Sequence, residues 1–354
     1  MLPSIKELFF ADKKVVGIDI GSHSIKLVEI ADTPKGYVLN SFGQIPLEKG
    51  IIEEGIIKNR NDLTKHLKEL FKASKCQLKK VAAALPGHIV VIKKTALNHM
   101  DEHELRAMIM DEASEYLPFS DSSQIHFDCH IVGGNALNPE KMDVVIASAR
   151  RDLIKNYTEA IEKMGCRVAI MDVDSFALQT AFEQNYELDD ADIVVLLNIG
   201  ASITNINIVR GGESLFTRNV LVGGATITQA LSNQRGIPFE EAEIIKCEEI
   251  DDSFRTELLN LGEPIFLEIE RTLDFFISEM GGMDVNRIIV SGGCSRIPGI
   301  VEHLASRLRC SAEKLNPFNK ITYDKKVFNE AYIETISPIA ALGVGLALRR
   351  IDDI

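Results

Sequence analysis

The sequence predicts an α/β protein of two similar halves with mixed sheets, closed around a cleft. Three observations carry that prediction. Residues 15–30, "VVGIDIGSHSIKLVEI", set two apolar arms around a loop of small residues, and residues 193–209, "IVVLLNIGASITNINIV", repeat the pattern. Residues 287–308, "RIIVSGGCSRIPGIVEHLASRL", run from a strand through a glycine pair into a helix.

The first element is a hairpin. Val15 to Ile20 form one arm and Ile25 to Ile30 the other, joined by Gly21, Ser22, His23 and Ser24. A loop so rich in small residues leaves backbone N–H groups uncovered, and successive N–H groups make an anion-binding concavity suited to phosphate. Asp19 is costly to bury without a partner. It would hold the waters around a magnesium ion that neutralises the phosphates, since magnesium keeps most of its water shell. An ordinary hairpin with a turn aspartate is the plainer alternative.

The second hairpin places Asn198 where Asp19 stood and Gly200 where Gly21 stood. On its return arm Ile206 and Ile208 alternate with Asn205 and Asn207, which predicts a strand with one wet face. Two such hairpins can pinch a phosphate chain between them. Gly223 and Gly224 then precede a helical stretch in "LVGGATITQAL". Further on, Gly292 and Gly293 end a strand before a helix whose Ile300, Val301, Leu304 and Leu308 recur at helical spacing. Glycines at such a turn let a flat ring or a phosphate approach the backbone. The apolar stretch "SPIAALGVGLAL" (337–348) is the closing helix.

Composition narrows the function. The 354 residues are 45% hydrophobic, enough for two or more domains with sizeable cores. Formal charge is −13, from 52 acidic against 39 basic residues, which opposes non-specific attraction to nucleic acid or an anionic lipid surface. The six cysteines are scattered without a CxxC pair, which argues against a disulfide framework or a cysteine zinc site and fits a reduced cytosol. No stretch reads as a signal peptide or a membrane span, so the expectation is no transmembrane segment.

Two further stretches invite other readings. "HFDCH" puts His126, Asp128 and His130 on one strand face, a spacing that could hold a metal ion; an exposed polar face alternating with Phe127 and Cys129 is the better-supported reading. "MLPSIKELFF" sets Leu2, Ile5, Leu8 and Phe9 along one helical face, and with few cations it reads as a docking segment or frayed tail rather than a lipid anchor.

With two phosphate hairpins, a Gly-Gly turn and an apolar closing helix, the chain resembles the actin-like ATPase superfamily, in which two ribonuclease-H-like halves clasp ATP. The resemblance implies that "DIGSHSIK" is the first phosphate loop, "NIGASIT" the second and "VSGGCSRIPG" the adenosine motif. "EEAEIIK" (240–246) is similar to the helix that contacts ribose and adenine; without the resemblance its charges read as a solvated face. The implied ligands are ATP and Mg2+. The nucleotide-binding residues implied are Asp19, Gly21, Ser22, Ser24, Lys26, Asn198, Gly200, Ala201, Ser202, Thr204, Gly223, Gly224, Glu243, Lys246, Gly292, Gly293 and Ser295, with Asp19 holding magnesium through water.

A narrower likeness lies in "MDEHELRAMIMDEASEYLPFSDSSQIHFDCHIVG" (100–133) and "KMDVVIASARRDLIKNYTEAIEKMGCRVAIMDVDSFALQTAF" (141–182). These stretches are similar to the PilM family of cytoplasmic actin-like proteins of type IV pilus assembly, including its FtsA-like inserted subdomain. The expected organisation is a first half of 1–85 with 146–190 and 336–354, an inserted partner-binding subdomain at 86–145, and a second half at 191–335 with an elaboration at 216–283. The implied function is to bind ATP and grip the short cytoplasmic tail of an inner-membrane PilN protein, with other pilus assembly proteins and self-association as further contacts. That places the chain at the inner membrane through its partners.

The resemblance also bears on hydrolysis. Hydrolytic relatives open the second loop with aspartate, where this chain has Asn198, an amide without charge. The place of the water-orienting carboxylate or amide falls on Val173, between Asp172 and Asp174, so slow or negligible turnover is expected. A small-molecule kinase would need a carboxylate base that Asn198 does not supply. An FtsA-like filament protein of cell division would carry a separated C-terminal amphipathic helix, whereas here "RRIDDI" follows the closing helix directly. Type II secretion machines, which use related domains, remain a parallel setting.

Overall fold

Apolar residues on both faces bury most of the two strands of the first hairpin. Strand Val16–Ile20 pairs antiparallel with Ser24–Thr33, and that strand pairs antiparallel with Gly36–Pro46. On its other side Val16–Ile20 runs parallel to Lys80–Leu85, which runs parallel to Arg167–Val173. The short strand Thr322–Tyr323 extends the far edge. The computed structural model describes residues 14–116, 122–135, 138–248 and 251–351. Val16, Ile18, Ile25 and Leu27 pack on one face against Leu63, Leu67, Leu70 and Ile161 of helices Arg60–Ala73 and Arg151–Glu162. Val28, Ile30 and Leu39 pack on the other face against Ile336, Ala340 and Val344 of helix Glu330–Leu348.

The second sheet reproduces this plan. Strand Ile193–Ile199 pairs antiparallel with Thr204–Arg210, which pairs antiparallel with Glu213–Val220. Ile193–Ile199 also runs parallel to Arg287–Ser291, and that strand to Ser311–Lys314. Strand order and direction match five strands of the first sheet position by position, Thr322–Tyr323 alone having no counterpart, so the repeat in sequence is a repeat in structure. Even the register agrees: Asp19 lies opposite Lys26, and Asn198 opposite Asn205.

Between strand Lys80–Leu85 and helix Arg151–Glu162 the chain leaves the first sheet to build a separate three-stranded antiparallel sheet, with Lys141–Arg150 central between Val90–Asn98 and Ile125–Gly134. Helix Glu102–Asp111 starts at a capping box of Asp101 and Glu104, which satisfies two orphan backbone donors. It lays Leu105 and Ile109 on Ile125, Cys129, Val144 and Ile146. His126, Asp128 and His130 line the exposed side of the outer strand, where Asp128 pairs with Arg106 at 2.5 Å and His130 sits 3.6 Å from Glu102.

One expectation fails. Asn205 and Asn207 do not form a wet face; they are 3% and 0% exposed. Helix Asp174–Asn185 covers them. Asn207 donates to the Ser175 carbonyl at 3.3 Å and to Gln179 Oε1 at 3.1 Å, and accepts from the Ser214 hydroxyl at 2.7 Å. A buried amide is tolerated once its hydrogen bonds are made, so the alternation reflects a paired interior rather than a solvated side.

Helix Glu330–Leu348 is long and apolar enough to cross a membrane, yet most of it is buried inside the protein. Asn329 caps it, accepting from the Tyr332 N–H at 2.8 Å. Its glycines set the packing: a Cβ on Gly345 would lie 1.7 Å from the Ala177 carbonyl oxygen, and one on Gly17 would lie 2.2 Å from the Gly343 oxygen. Backbone therefore rests directly on backbone. The same helix reaches the second half, where the Pro338 carbonyl accepts from the Gly292 N–H at 2.8 Å. The expected docking segment at residues 1–13, the end of "EASEYLPF" and residues 352–354 lie outside the described residues.

Candidate functional site

The two glycine loops are built alike. Gly21 N–H donates to the Ser24 carbonyl at 3.2 Å, and Gly200 N–H to the Ile203 carbonyl at 3.0 Å, closing the same tight turn in each hairpin. The turns bring Ser22 and Ser202 together, with their hydroxyl oxygens 2.9 Å apart. Asp19 is satisfied by Lys26, whose Nζ donates to Oδ2 at 2.8 Å, with both side chains about 15% exposed or less. The aspartate thus needs no magnesium complex to be tolerated, because the register of the hairpin supplies a cation.

The second loop and the Gly223–Gly224 turn form one unit. Thr204 is buried and donates to the Val222 carbonyl at 2.7 Å, while Gly224 N–H and Ala225 N–H donate to the Gly200 and Ala201 carbonyls at 2.9 and 2.8 Å. A Cβ on Gly223 would lie 2.6 Å from the Gly200 oxygen, so only glycine fits that approach. Beneath the turn, Lys246 is 3% exposed and donates to Gly224 O at 3.3 Å, Thr228 Oγ1 at 2.7 Å and Glu243 Oε2 at 2.6 Å. Helix Phe239–Ile245 and Lys246 at its end therefore hold the turn from inside. At the rim, Lys49 of the first half lies over the Phe239 ring, 6.0 Å from its centroid.

The third turn carries Gly292 at φ +87°, a left-handed conformation in which a Cβ would lie 2.5 Å from Asn198 Oδ1. Ser295 is buried and donates to the Gly292 carbonyl at 2.7 Å, whereas a Cβ on Gly293 would meet nothing within 4 Å. Gly293 thus borders open space. Of the residues expected at the site, Ser24, Thr204, Lys246 and Ser295 are engaged in its frame; Ser24 itself is buried and accepts from Gln44 at 3.0 Å. Cys294 is buried beside them and its thiol is pushed up to about 12, so it is no nucleophile.

Sequence reasoning missed the role of Asp174. Its Oδ1 accepts from Ser175 N–H at 2.7 Å, from Asn205 Nδ2 at 2.9 Å and from Gly87 N–H at 3.0 Å. Burial pushes its carboxyl up to about 7; the Gly87 and Ser175 N–H groups oppose that shift, and the negative charges of Asp19 and Asp172 add to it. The repeat does not signal it: Asn205 holds the register position of Lys26 but bonds to Asp174 rather than to Asn198 opposite it.

Comparison with known proteins places this architecture. The chain is similar to the PilM-PilN type IV pilus biogenesis complex, with a TM-score of 0.82 and 24% identity over 95% of this chain and 98% of that one. It is also similar to ethanolamine utilization protein EutJ from Carboxydothermus hydrogenoformans, with a TM-score of 0.57 and 17% identity over 98% and 90% of the two chains. The fold is the mixed-sheet α/β architecture of the actin-like ATPases. The sequence model of the type IV pilus assembly protein PilM family matches residues 17–351. The chain therefore belongs to the PilM family of type IV pilus assembly proteins.

Proposed function

We propose that the chain binds ATP with magnesium between its two glycine loops and, in that state, grips the short cytoplasmic tail of a PilN-like inner-membrane protein, joining it to the cytoplasmic pilus machinery. The observation that carries this reading is the facing pair of loops: Ser22 and Ser202 meet at 2.9 Å, beside the Asp19–Lys26 pair. A carboxylate, an ammonium, two hydroxyls and glycine turns are the donor set that a magnesium-neutralised phosphate chain requires. Asp19 would hold the metal through water, Lys26 and the loop N–H groups would take the phosphates, and Gly293 would border the base.

Asn198 stands where hydrolytic relatives carry a charge, so turnover is no faster than roughly one per minute in this reading. The inserted sheet is the region proposed to grip the tail, and the likeness to a complex that contains PilN supports a partner of that kind. Membrane association is then peripheral, through the partner. The test is calorimetric titration of the full chain with a synthetic N-terminal tail of the partner, with and without ATP and magnesium. Binding that requires ATP supports the reading. ATP binding with no tail binding in either state overturns the grip.

A further inference from the structure

We propose that Asp174 is a positioning residue that transmits movement of the second half to the root of the inserted sheet, so that the state of the cleft sets the state of the partner site. This rests on reading the cleft as a nucleotide site. The root is Gly87, between the last residue of strand Lys80–Leu85 and the first of strand Val90–Asn98. Its N–H is held by the same Asp174 oxygen that receives Asn205 from the second half, at 3.0 and 2.9 Å.

Contact at the root is close on every side. A Cβ on Gly87 would lie 2.4 Å from Asn219 Nδ2 and 2.9 Å from Asp174 Oδ1, and Asn219 Oδ1 in turn accepts from Asn205 at 2.7 Å. One strand of the second sheet therefore presses on the glycine directly, through Asn219, and its neighbour reaches it through Asn205 and Asp174. Farther out, Lys94 of the inserted sheet pairs with Glu213, which lies on the same edge strand as Asn219. The inserted sheet is thus attached to the second half at two points along one strand.

Asn205 and Ser202 belong to the same hairpin, so whatever parts Ser22 from Ser202 also moves Asn205 against Asp174. The junction is not fully satisfied as it stands: Asn205 Oδ1 and the Ser175 hydroxyl are buried without a hydrogen-bond partner. A buried unpaired acceptor is costly and needs an explanation. A junction that must serve two arrangements supplies one, since it cannot pair every group in both.

Hydrogen exchange of the full-length protein tests this. The readout is peptides spanning residues 86–92, in the wild type and in Asn205→Ala and Asn219→Ala variants shown by circular dichroism to be folded, with Gln229→Ala as an exposed control. Without nucleotide, both junction variants should exchange about tenfold faster there than the wild type and the control. Unchanged exchange in both overturns the proposal. With ATP and magnesium, the wild type should change its exchange at 86–92, and Asn205→Ala should lose that change while still binding a fluorescent ATP analogue. A response that persists in Asn205→Ala overturns the proposal. If the wild type binds no nucleotide while the first arm succeeds, the mechanical link stands and the reading of the cleft falls.

Discussion

The hydroxyl of Ser22 lies 2.9 Å from that of Ser202, so the two halves of the chain touch through the tips of their glycine loops. A phosphate group cannot enter between them without parting this pair. With both positions changed to cysteine, the thiols fall within reach of a disulfide. Oxidation should cross-link the double variant readily without nucleotide, and saturating ATP with magnesium should slow the reaction about tenfold, as seen by gel shift after proteolysis. Equal rates in both conditions would show that nucleotide does not pass between these loops.

Lys26 is the nearest charge to Asp19, at 2.8 Å. Lys26→Met removes the proposed phosphate partner and also leaves the carboxylate without its cation, which costs a partly buried pair more than an exposed one. ATP affinity should fall by about tenfold or more, measured by titration with a fluorescent analogue. Asp19→Asn should instead weaken the magnesium dependence of binding, seen as a smaller difference between titrations with and without the metal.

The contact of Gly345 with Ala177 leaves no room for a methyl group, since a Cβ would lie 1.7 Å from a carbonyl oxygen. Gly345→Ala must push the closing helix off its neighbour, and overpacking of this kind costs about 1–3 kcal/mol or more. Denaturant unfolding should show a lower midpoint. Gly236→Ala serves as a comparison, because its Cβ would meet no atom within 4 Å and its penalty comes from φ +65° alone.

Asp174 makes stability depend on pH with a definite sign. Its carboxyl sits at about 7 in the folded protein against an ordinary value of 3.8, so between those values the folded state holds a proton that the unfolded chain releases. Stability should therefore fall as pH rises from about 4 to about 7. The full effect of such a shift is about 4 kcal/mol, reduced by the partial exposure of the group. His88 and His303, both lowered chiefly by burial, act in the opposite sense, gaining stability as pH rises. Subtracting the profile of Asp174→Asn from that of the wild type isolates the aspartate.

The elements legible in the sequence are those that local pattern dictates. Both hairpins, their glycine turns and the closing helix follow from apolar periodicity and from small residues at fixed offsets. What pattern could not supply was partnership. Asn205 and Asn207 read as solvated because alternation shows which residues share a face and not what covers it. Lys26 stood in the first loop motif, but its pairing with Asp19 depends on register, which emerges only when the hairpin is closed. Asp174, Gly87 and Asn219 are distant in sequence, and the contact that joins them has no local signature.

The glycine seam of the closing helix has a mechanical consequence. Where helices interlock through side chains, sliding one past the other means driving each knob out of its hole. At Gly17 and Gly345 there is no knob to withdraw and main chain rests on main chain, while Gly343 leaves a hole that the Val28 side chain fills. The closing helix is thereby anchored at close range to strand Val16–Ile20 and helix Asp174–Asn185 of its own half, and the hydrogen bond from Gly292 ties the second half to that anchor.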